Sequence, residues 1–506
     1  MNSPIQTGSI EHEVGTPCHA RLPDSVDGAL APAIVAWGAS RVAMRSFVAV
    51  SLAGLLTAGC ASLQAQVNAP LATMDETKGY RLDSLSSARS SDDLLVVVSF
   101  SGGGKRSAAF GYGALLAMRE IGLGSGERTG SLLHEIDLLT GVSGGSFPAA
   151  YYALHRDAMF ETFRRDFLDE DLNDEIAGIY LLPWRWDWMV NPNWGTNDEM
   201  ARVYDDLMFR GATFGDLQKL GPPYAMIQAT DLASGTPFPF IQNQFDLICS
   251  DLSDYPLARA VAASNGFPIL FTPITLKNYS AFCRTEPGWI APALADADPL
   301  SRQRQQAKLA RRYTEADRDA YVHLVDGGVG DNLAMRGLLN YISRYDTPAA
   351  APDPTGRVQR LRRIIFISID GQSAQDREIN RTPVVGDLLR IADAVTSNTI
   401  DQYNFETLRL ARSSGSAVAA NLTALRCAGR TGENLGARAA LVHVALSDQP
   451  AADALKDIPT GLTISPDQVE QLIDAGRLAV LNDPTLRRTI AEIDAPDPCP
   501  ASAAIK

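Results

Sequence analysis

The sequence predicts an α/β fold organised around a doubly wound or mixed β-sheet. Leu94–Phe100 (LLVVVSF) is a continuous apolar, β-branched run, which is typical of a strand buried on both faces of a parallel sheet. A helical segment over about Ala108–Ile121 follows, and a second strand at Ile136–Leu139 then leads into a helix that ends near His155. This alternation of strands and helices is the pattern of α/β architectures.

The rest of the chain continues this pattern without a break into a second domain. Further strands are predicted at Tyr224–Gln228, Tyr321–Val325, Ile364–Ile369 and Ala440–His443. A long helix is predicted over about Gly386–Ala411. We therefore expect one domain over residues 94–480, followed by a C-terminal tail at 481–506.

Two segments of different composition interrupt this domain. Residues 156–220 are rich in acidic and aromatic residues and include LLPWRWDWMVNPNW, which holds four of the six tryptophans. We expect this segment to be a helical, aromatic insertion. Residues 295–319 include the basic, polar run SRQRQQAKLARR, which predicts a surface helix inserted between two core elements.

The charge balance limits the classes of partner. The formal net charge is −14, from 45 basic and 59 acidic residues. No extended basic face is needed to explain this balance, so nucleic acid is not an expected partner. An acidic protein is also repelled by an anionic lipid surface. Association with a membrane would therefore need some device other than net charge.

The N-terminal region has the pattern of a secretory signal. From Met44, a basic residue precedes the apolar run Phe47–Leu56, and small residues then lead to Cys60. The apolar run is too short to cross the ~30 Å hydrocarbon core of a bilayer as an anchor. Thr57–Cys60 (TAGC) resembles a bacterial lipobox, which implies that Cys60 is diacylated. The alternative is an ordinary signal peptide with an incidental cysteine.

Residues 1–43 precede this signal and show no periodic pattern of hydrophobic residues. They are expected to be either an over-long start, with Met44 as the true first residue, or an unusually long n-region. In both cases residues 1–59 are removed, and residues 60–93 form a tether. A lipidated Cys60 predicts an outer-membrane lipoprotein of the bacterial cell envelope that faces the periplasm. Without lipidation, the prediction is a secreted protein.

Beyond Cys18 and Cys60, an even number of cysteines remains, as expected for an oxidising compartment. These are Cys249, Cys283, Cys427 and Cys499. Four cysteines allow three pairings. Proximity along the chain favours Cys249–Cys283, with Cys427–Cys499 as the complement. Four buried free thiols are the alternative.

A candidate nucleophile lies between the second strand and its helix. The run Gly141-Val142-Ser143-Gly144-Gly145 matches G-x-S-x-G in this position. A strand-to-helix elbow holds its serine in strained backbone geometry and requires small neighbours. The hydroxyl is then presented at the positive end of a helix dipole. The alternative is a glycine-rich turn whose serine only caps the helix, but the strand before and the apolar helix after favour a nucleophile.

A glycine-rich loop, Ser101–Ser107 (SGGGKRS), joins the first strand to the first helix. Consecutive glycines let several backbone N–H groups converge on one small anion. The loop does not match a P-loop, because Ser99 stands in place of the first glycine and Arg106 follows the lysine. It also lacks the third glycine of a Rossmann fingerprint. Beside a serine elbow, the best interpretation is an oxyanion hole formed by Gly102, Gly103, Gly104, Lys105 and Arg106.

A candidate base follows a later strand. Asp326-Gly327-Gly328 comes directly after the predicted strand that ends at Val325. Ligands of open α/β sheets bind beyond the carboxyl ends of the strands, where Asp326 would lie. An aspartate that only forms a D-G turn is the alternative. A conventional triad would add His443, but this histidine lies inside the apolar run LVHVAL, which favours a core position.

The motifs GGGKRS, GVSGG and DGG, in this order, resemble the patatin-like phospholipases. Three further segments are similar to those of the family: ATDLASG (Ala229–Gly235), ARAVAASNGFPILFTPI (Ala258–Ile274) and IPTGLTISPDQVEQLIDAGR (Ile458–Arg477). The resemblance therefore spans about residues 94–480. It implies a three-layer α/β/α fold with a mostly parallel central sheet.

The resemblance also implies a function, the cleavage of fatty-acyl esters of lipids or phospholipids. Ser143 and Asp326 would act as a Ser–Asp dyad, with the glycine-rich loop as oxyanion hole and no metal or other cofactor. The expected partners are a lipid substrate and, through the lipid anchor, a membrane. Two rival classes stay open: a Ser-His-Asp carboxylesterase that uses His443, and a non-catalytic lipid-binding envelope lipoprotein. The aromatic stretch Trp184–Trp194 would cover the acyl pocket, enter the membrane interface or only pack as an insertion.

Overall fold

A computed structural model describes residues 68–82, 91–123, 130–191, 194–268, 270–283, 286–344, 356–372, 388–450, 452–455 and 458–500. The predictions of a signal peptide over residues 1–59 and of lipidation at Cys60 concern residues outside these ranges. Part of the tether predicted at 60–93 also lies outside them.

The β-strands of the described residues are short and largely buried. In chain order they are β1 (Ala69–Pro70), β2 (Leu94–Phe100), β3 (Ile136–Gly141), β4 (Tyr224–Asp231), β5 (Thr236–Pro239), β6 (Ser250–Asp251), β7 (Ile274–Lys277), β8 (Tyr321–Val325), β9 (Arg363–Asp370) and β10 (Arg438–Ala445). Every strand predicted from the sequence is present, with ends that differ by up to three residues.

The α-helices vary from single turns to one very long helix. In chain order they are α1 (Gly104–Glu120), α2 (Ser146–His155), α3 (Met159–Phe163), α4 (Asn173–Leu181), α5 (Asp187–Val190), α6 (Thr196–Tyr204), α7 (Phe214–Leu220), α8 (Gln242–Phe245), α9 (Leu257–Ser264), α10 (Ser280–Cys283), α11 (Ile290–Leu294), α12 (Arg302–Tyr313), α13 (Gly328–Asp331), α14 (Arg336–Ile342), α15 (Arg357–Arg360), α16 (Leu388–Cys427), α17 (Ala452–Leu455), α18 (Pro466–Asn482) and α19 (Pro484–Ala491).

The main sheet has the strand order β10-β9-β2-β3-β4-β8-β7, and β5 pairs with β4 outside this path. The five strands from β10 to β4 are parallel to their neighbours in this order. In contrast, β8 runs antiparallel to β4, and β7 runs antiparallel to β8. The prediction of a mostly parallel central sheet is therefore confirmed.

Helices cover both faces of this sheet. On one face, α1 lies so close to β2 that a Cβ added to Gly111 would meet the ring of Phe100 at 2.9 Å. On the other face, Val97 of β2 borders a small cavity together with Leu338 of α14. Side chains alternate along a strand, so Val97 and Phe100 point to opposite faces. The three-layer α/β/α arrangement is therefore confirmed.

The C-terminal helix α18 packs directly on α1. A Cβ on Gly113 would lie 2.0 Å from the carbonyl oxygen of Ile473, and one on Gly476 would lie 2.1 Å from that of Phe110. Only glycine allows two helices to approach this closely at these points. The contact brings the segment before α18, including Gly461, to the glycine-rich loop.

The long helix α16 extends well beyond the predicted end at Ala411 and reaches Cys427. The run Ser413–Ser416 (SSGS) has low helix propensity, which is why the sequence predicts an earlier end. Here the helix packs on the sheet, because a Cβ on Gly415 would be in ordinary van der Waals contact with the ring of Phe366 in β9, at 3.4 Å. Packing therefore overrides local propensity.

Two disulfides join distant elements. Cys249 is bonded to Cys283, and Cys427 is bonded to Cys499, which confirms the pairing that proximity favours. The second bond fixes the end of α16 to the segment predicted as a C-terminal tail. That segment includes α19 and donates a backbone hydrogen bond from Cys499 to Glu433. Up to residue 500, the segment predicted as a tail is therefore attached to the domain by this disulfide and hydrogen bond. Within the described ranges, no helix combines the length and apolarity required to span a bilayer.

Candidate active site

Ser143 occupies the strained turn that the sequence predicts. It follows β3 and begins a short 3₁₀ turn, Ser143–Gly145, that leads into α2. Its φ angle is 49°, in the left-handed region that non-glycine residues rarely adopt. The Ser143 N–H donates to Oγ of Ser264 at 3.0 Å, so a contact from α9 holds the turn in place. The elbow geometry is therefore confirmed.

The glycines beside Ser143 are required by two backbone contacts. A Cβ on Gly144 would lie 1.9 Å from the carbonyl oxygen of Gly104, and one on Gly145 would lie 2.5 Å from that of Phe100. Gly141 is equally confined, because its Cβ would lie 2.6 Å from the Gly145 carbonyl oxygen. The glycine-rich loop and the serine elbow thus touch through their main chains.

Asp326 is hydrogen-bonded directly to Ser143. The Ser143 hydroxyl donates to Oδ2 of Asp326 at 2.8 Å. The other carboxylate oxygen, Oδ1, accepts from the N–H of Gly328 at 2.8 Å, so Gly328 helps to orient the carboxylate. Gly327 fits between Asp326 and β4, because a Cβ there would lie 2.3 Å from the Gln228 carbonyl oxygen. Both members of the pair are buried, with 7% of Ser143 and 6% of Asp326 exposed.

Asp326 reaches Ser143 from an antiparallel strand. Strand β8 runs antiparallel to β4 and pairs with Thr230 and Asp231. Strand β3 pairs with an earlier part of β4, and its last residue, Gly141, lies opposite Ile227. Because β8 runs back toward that point, the C-terminal ends of β3 and β8 approach each other. The two residues predicted as a catalytic pair therefore meet.

Burial changes the acidity of Asp326. Desolvation raises the pKa of its carboxyl group from 3.8 to about 6, and the hydrogen bonds from Gly328 and Ser143 oppose only part of this rise. The carboxylate is therefore a stronger base than an exposed aspartate, yet it is still ionised at neutral pH.

Asn265 is a site residue that the sequence reasoning did not single out. Its Oδ1 accepts from the Ser143 hydroxyl at 3.3 Å, and its Nδ2 donates to the hydroxyl of Tyr204 at 3.2 Å. The serine proton therefore has two acceptors, Asp326 and Asn265. The one available signal was that Asn265 lies in the segment Ala258–Ile274, which resembles the patatin-like phospholipases. That resemblance assigns no role to this asparagine.

The glycine-rich loop offers fewer donors than predicted. The N–H of Gly102 donates to Asn332 at 3.0 Å, and that of Lys105 donates to Gly461 at 2.7 Å. The N–H groups of Gly103 and Gly104 have no acceptor among the residues that the structure describes. The N–H groups of Gly102 and Lys105 are therefore already hydrogen-bonded. Those of Gly103 and Gly104 are available to an anion beside Ser143.

The side chains of Lys105 and Arg106 anchor the loop. Lys105 Nζ donates to the Glu170 carbonyl at 2.5 Å, and burial lowers the pKa of this lysine to about 8. The Arg106 guanidinium donates to the carbonyls of Gly371 and Ile458, at 3.0 and 2.7 Å. Lys105 and Arg106, which were predicted as part of the oxyanion-hole loop, therefore use their side chains to hold that loop in place.

His443 lies in the sheet, away from Ser143. It belongs to β10, which is separated from β3 by β9 and β2. Across the sheet, His443 lies opposite Ser368, which lies opposite Ser99, and Ser99 in turn lies opposite Thr140 at the end of β3. Three strand spacings correspond to roughly 14 Å, too far for a hydrogen bond to Ser143. Among the described residues, no group of three or more histidine, cysteine or acidic side chains could hold a metal ion.

A strained serine paired with a buried carboxylate, at the end of a parallel strand, defines an α/β protein of the serine-elbow type. Residues 98–339 match the family model described as patatin-like phospholipase. Over these residues the chain is therefore similar to the patatin-like phospholipases. The matched region includes the glycine-rich loop, the elbow and Asp326.

Solved structures with a similar fold include human GIVD cytosolic phospholipase A2, with 11% sequence identity and a TM-score of 0.42, over 79% of this chain and 63% of that chain. The same enzyme in complex with methyl gamma-linolenyl fluorophosphonate gives 12% identity and a TM-score of 0.40, over 79% of this chain and 60% of that chain. The chain thus spans about three fifths of the length of these structures. No curated protein matches the sequence.

Proposed function

We propose that this protein is a serine acyl-hydrolase that cleaves fatty-acyl ester bonds of lipids, with Ser143 as nucleophile and Asp326 as base. The 2.8 Å hydrogen bond from Ser143 Oγ to Asp326 Oδ2 carries the proposal. The similarity to the patatin-like phospholipases supports a lipid substrate. A nucleophilic serine needs an adjacent base, and Asp326 is within the distance required for direct proton transfer.

Acylation begins when Asp326 accepts the hydroxyl proton of Ser143. The serine Oγ then forms a bond to the ester carbonyl carbon, and the carbonyl π electrons move onto its oxygen. When this intermediate collapses, the bond to the alcohol portion of the lipid breaks, and protonated Asp326 gives its proton to the departing oxygen. The products of this half-reaction are the free alcohol and an acyl ester on Ser143.

Deacylation uses the same groups with water as the nucleophile. Asp326 accepts a proton from water while the water oxygen attacks the acyl carbonyl carbon. Collapse of the second intermediate breaks the bond to Ser143 Oγ, which takes the proton back from Asp326. The fatty acid is released and the dyad returns to its starting state.

The N–H groups of Gly103 and Gly104 would stabilise the oxyanion in both steps. Main-chain contact between Gly104 and Gly144 supports this role, since it holds the donors beside the serine. Loss of one such donor in a serine hydrolase costs about 3 kcal/mol of transition-state stabilisation. A base with a pKa of about 6 also suits catalysis near neutral pH, because an efficient base titrates close to the working pH.

Hydrolysis of a soluble ester tests this proposal. Wild type should hydrolyse p-nitrophenyl butyrate, and Ser143→Ala and Asp326→Asn should each lose more than about 10³-fold in kcat/KM. His443→Ala is the matched control, and it should retain activity because it lies in β10. Activity that persists in Ser143→Ala, or that depends on His443, would reject the dyad.

We further propose that diacylation of Cys60 holds the enzyme at the bacterial cell envelope, facing the periplasm. The support is the lipobox-like TAGC sequence. Asn68, where the described residues begin, follows Cys60 by eight residues, which span at most about 28 Å. Incorporation of an alkyne-labelled fatty acid in a bacterial host should occur in wild type and be lost in Cys60→Ser. Equal labelling of the two proteins would reject the anchor.

A further inference from the structure

The four tryptophans of the aromatic stretch differ in their contacts and exposure. Trp188 packs against the core and donates from its indole nitrogen to Ile179, and Trp194 donates to Glu199. These two are held within the protein. Trp186 is 37% exposed but also donates from its indole nitrogen to the Tyr180 carbonyl at 3.1 Å, whereas Trp184 is 75% exposed. Contacts within the insertion therefore hold three of these tryptophans, and Trp184 projects into solvent.

Trp184 belongs to a set of large apolar side chains that solvent reaches. Leu181 and Met189 are exposed to 73% and 60%, and Tyr180, Phe267 and Leu270 are each exposed to about two fifths. The Tyr180 hydroxyl donates to the Leu270 carbonyl, and this bond joins the two segments into one surface. We refer to the surface formed by Tyr180, Leu181, Trp184, Met189, Phe267 and Leu270 as the apolar ridge. Several large exposed apolar side chains on two joined segments are typical of an interaction site.

The apolar ridge is continuous with the candidate active site. Asn265, which accepts a hydrogen bond from Ser143, is two residues before Phe267. Between them, the Gly266 carbonyl accepts from the N–H of Asp326 at 2.9 Å. One short segment therefore contacts both members of the dyad and then supplies two exposed side chains of the ridge.

We propose that the apolar ridge is the surface by which this enzyme docks on the boundary between head groups and hydrocarbon of a zwitterionic lipid bilayer. The inference rests on the proposed function, because a lipid hydrolase must draw its substrate from such a surface. Tryptophan is favoured at this boundary, and leucine and methionine gain by burial in hydrocarbon. The nearby cation Arg185 is paired with Glu175 at 2.8 Å, and the whole chain has a net charge of −14. Apolar insertion rather than attraction to anionic lipid therefore provides the contact.

Comparison of vesicle and soluble substrates tests the docking surface. The ridge variant combines Leu181→Gln, Trp184→Gln and Met189→Gln. The control variant combines Leu220→Gln, Leu300→Gln and Leu425→Gln, which change three other exposed apolar residues. All proteins are full-length chains carrying Cys60→Ser, so that acylation does not contribute.

Each protein is assayed on dioleoylphosphatidylcholine vesicles and on p-nitrophenyl butyrate. The ridge variant should lose at least about tenfold in vesicle hydrolysis, whereas its hydrolysis of the soluble ester and its melting temperature should match those of the control variant. Retained vesicle hydrolysis would overturn the proposal. A parallel loss on both substrates would also overturn it, because the ridge would then act by shaping the catalytic site.

Fluorescence quenching provides a readout that does not depend on catalysis. Vesicles of brominated phosphatidylcholine should quench wild type more than Trp184→Phe, because Trp184 enters the acyl region. Quenching without hydrolysis of either substrate would reject the proposed function and leave the docking surface standing. Equal quenching of both proteins, or a ridge-dependent dimer in light scattering without any quenching, would reject the docking surface.

Discussion

The carbonyl oxygen of Gly104 lies against the α-carbon of Gly144, so that no side chain fits between the glycine-rich loop and the serine elbow. This contact fixes the spacing between the nucleophile and its two available backbone donors, Gly103 and Gly104. Catalysis should therefore depend on Gly144 although this residue carries no functional group.

Gly144→Ala should inactivate the enzyme while Ser143 and Asp326 are both present. The new Cβ would lie 1.9 Å from the Gly104 carbonyl oxygen, so the loop must move away from the serine. We expect a loss of at least about 100-fold in kcat/KM, with destabilisation of about 1–3 kcal/mol. Steady-state kinetics and urea unfolding measure the two effects. Gly130→Ala is a suitable control because a Cβ there meets no atom within 4 Å.

Asp326→Asn should make the folded protein more stable above pH 6. The folded protein holds the Asp326 proton up to pH about 6, whereas the unfolded chain releases it near 3.8. Ionisation of the buried carboxyl thus costs folding about 3 kcal/mol above pH 6, and this cost disappears as pH falls toward 4. The neutral amide of the Asp326→Asn variant has no such ionisation cost. Unfolding by urea should show a gain that is about 2 kcal/mol larger at pH 8 than at pH 4.5, and an equal gain at both would contradict the assigned pKa.

Asn265→Asp should move the acid limb of the pH–rate profile upward. The substitution adds a carboxylate 3.3 Å from Ser143 Oγ and close to Asp326, and a neighbouring negative charge disfavours ionisation of the base. In wild type, kcat/KM should rise with pH through about 6 and then level off. The midpoint should shift upward by about one pH unit or more in Asn265→Asp. Asn265→Ala adds no charge, and an equal upward shift in that variant would show that the effect is not electrostatic.

Removal of the Cys427–Cys499 bond should destabilise the domain without removing its chemistry. The bond closes a segment with a sequence separation of 72 and fixes the C-terminal residues to the end of α16. Replacement of both cysteines by alanine should lower the free energy of unfolding by about 2–5 kcal/mol. Hydrolysis of a soluble ester at 20 °C should persist in the folded fraction. Complete loss of activity in a protein with wild-type stability would contradict this structural role.

The fold was predictable where local patterns determine it. The buried strand Leu94–Phe100 is followed at once by a glycine-containing turn and a helix, and the same order surrounds Ser143. Both units are present as expected. The end of α16 was not predictable in this way. Its extension past Ala411 accompanies packing on the sheet near Phe366, a residue far from Gly415 in the sequence.

The site was predictable to the extent that motifs name its residues. Ser143 and Asp326 were both identified, but the antiparallel direction of β8 was not, because a short strand pattern carries no information about its neighbours. Asn265 was missed for a related reason. Its contact with Ser143 joins residues 122 positions apart, and no spacing rule connects them. Lys105 and Arg106 were assigned to the oxyanion hole with the rest of the loop, because the sequence does not show which backbone N–H groups are already bonded, as that of Lys105 is to Gly461.

The rate of labelling by a fluorophosphonate probe, followed by peptide mapping, tests the Ser143–Asp326 dyad most directly. We predict a single adduct on the peptide that contains Ser143, with a wild-type labelling rate that rises with pH through about 6. In Asp326→Asn the rate should fall by at least about 100-fold and no longer follow this titration. An adduct on another residue, or labelling of Asp326→Asn at the wild-type rate, would contradict the assignment.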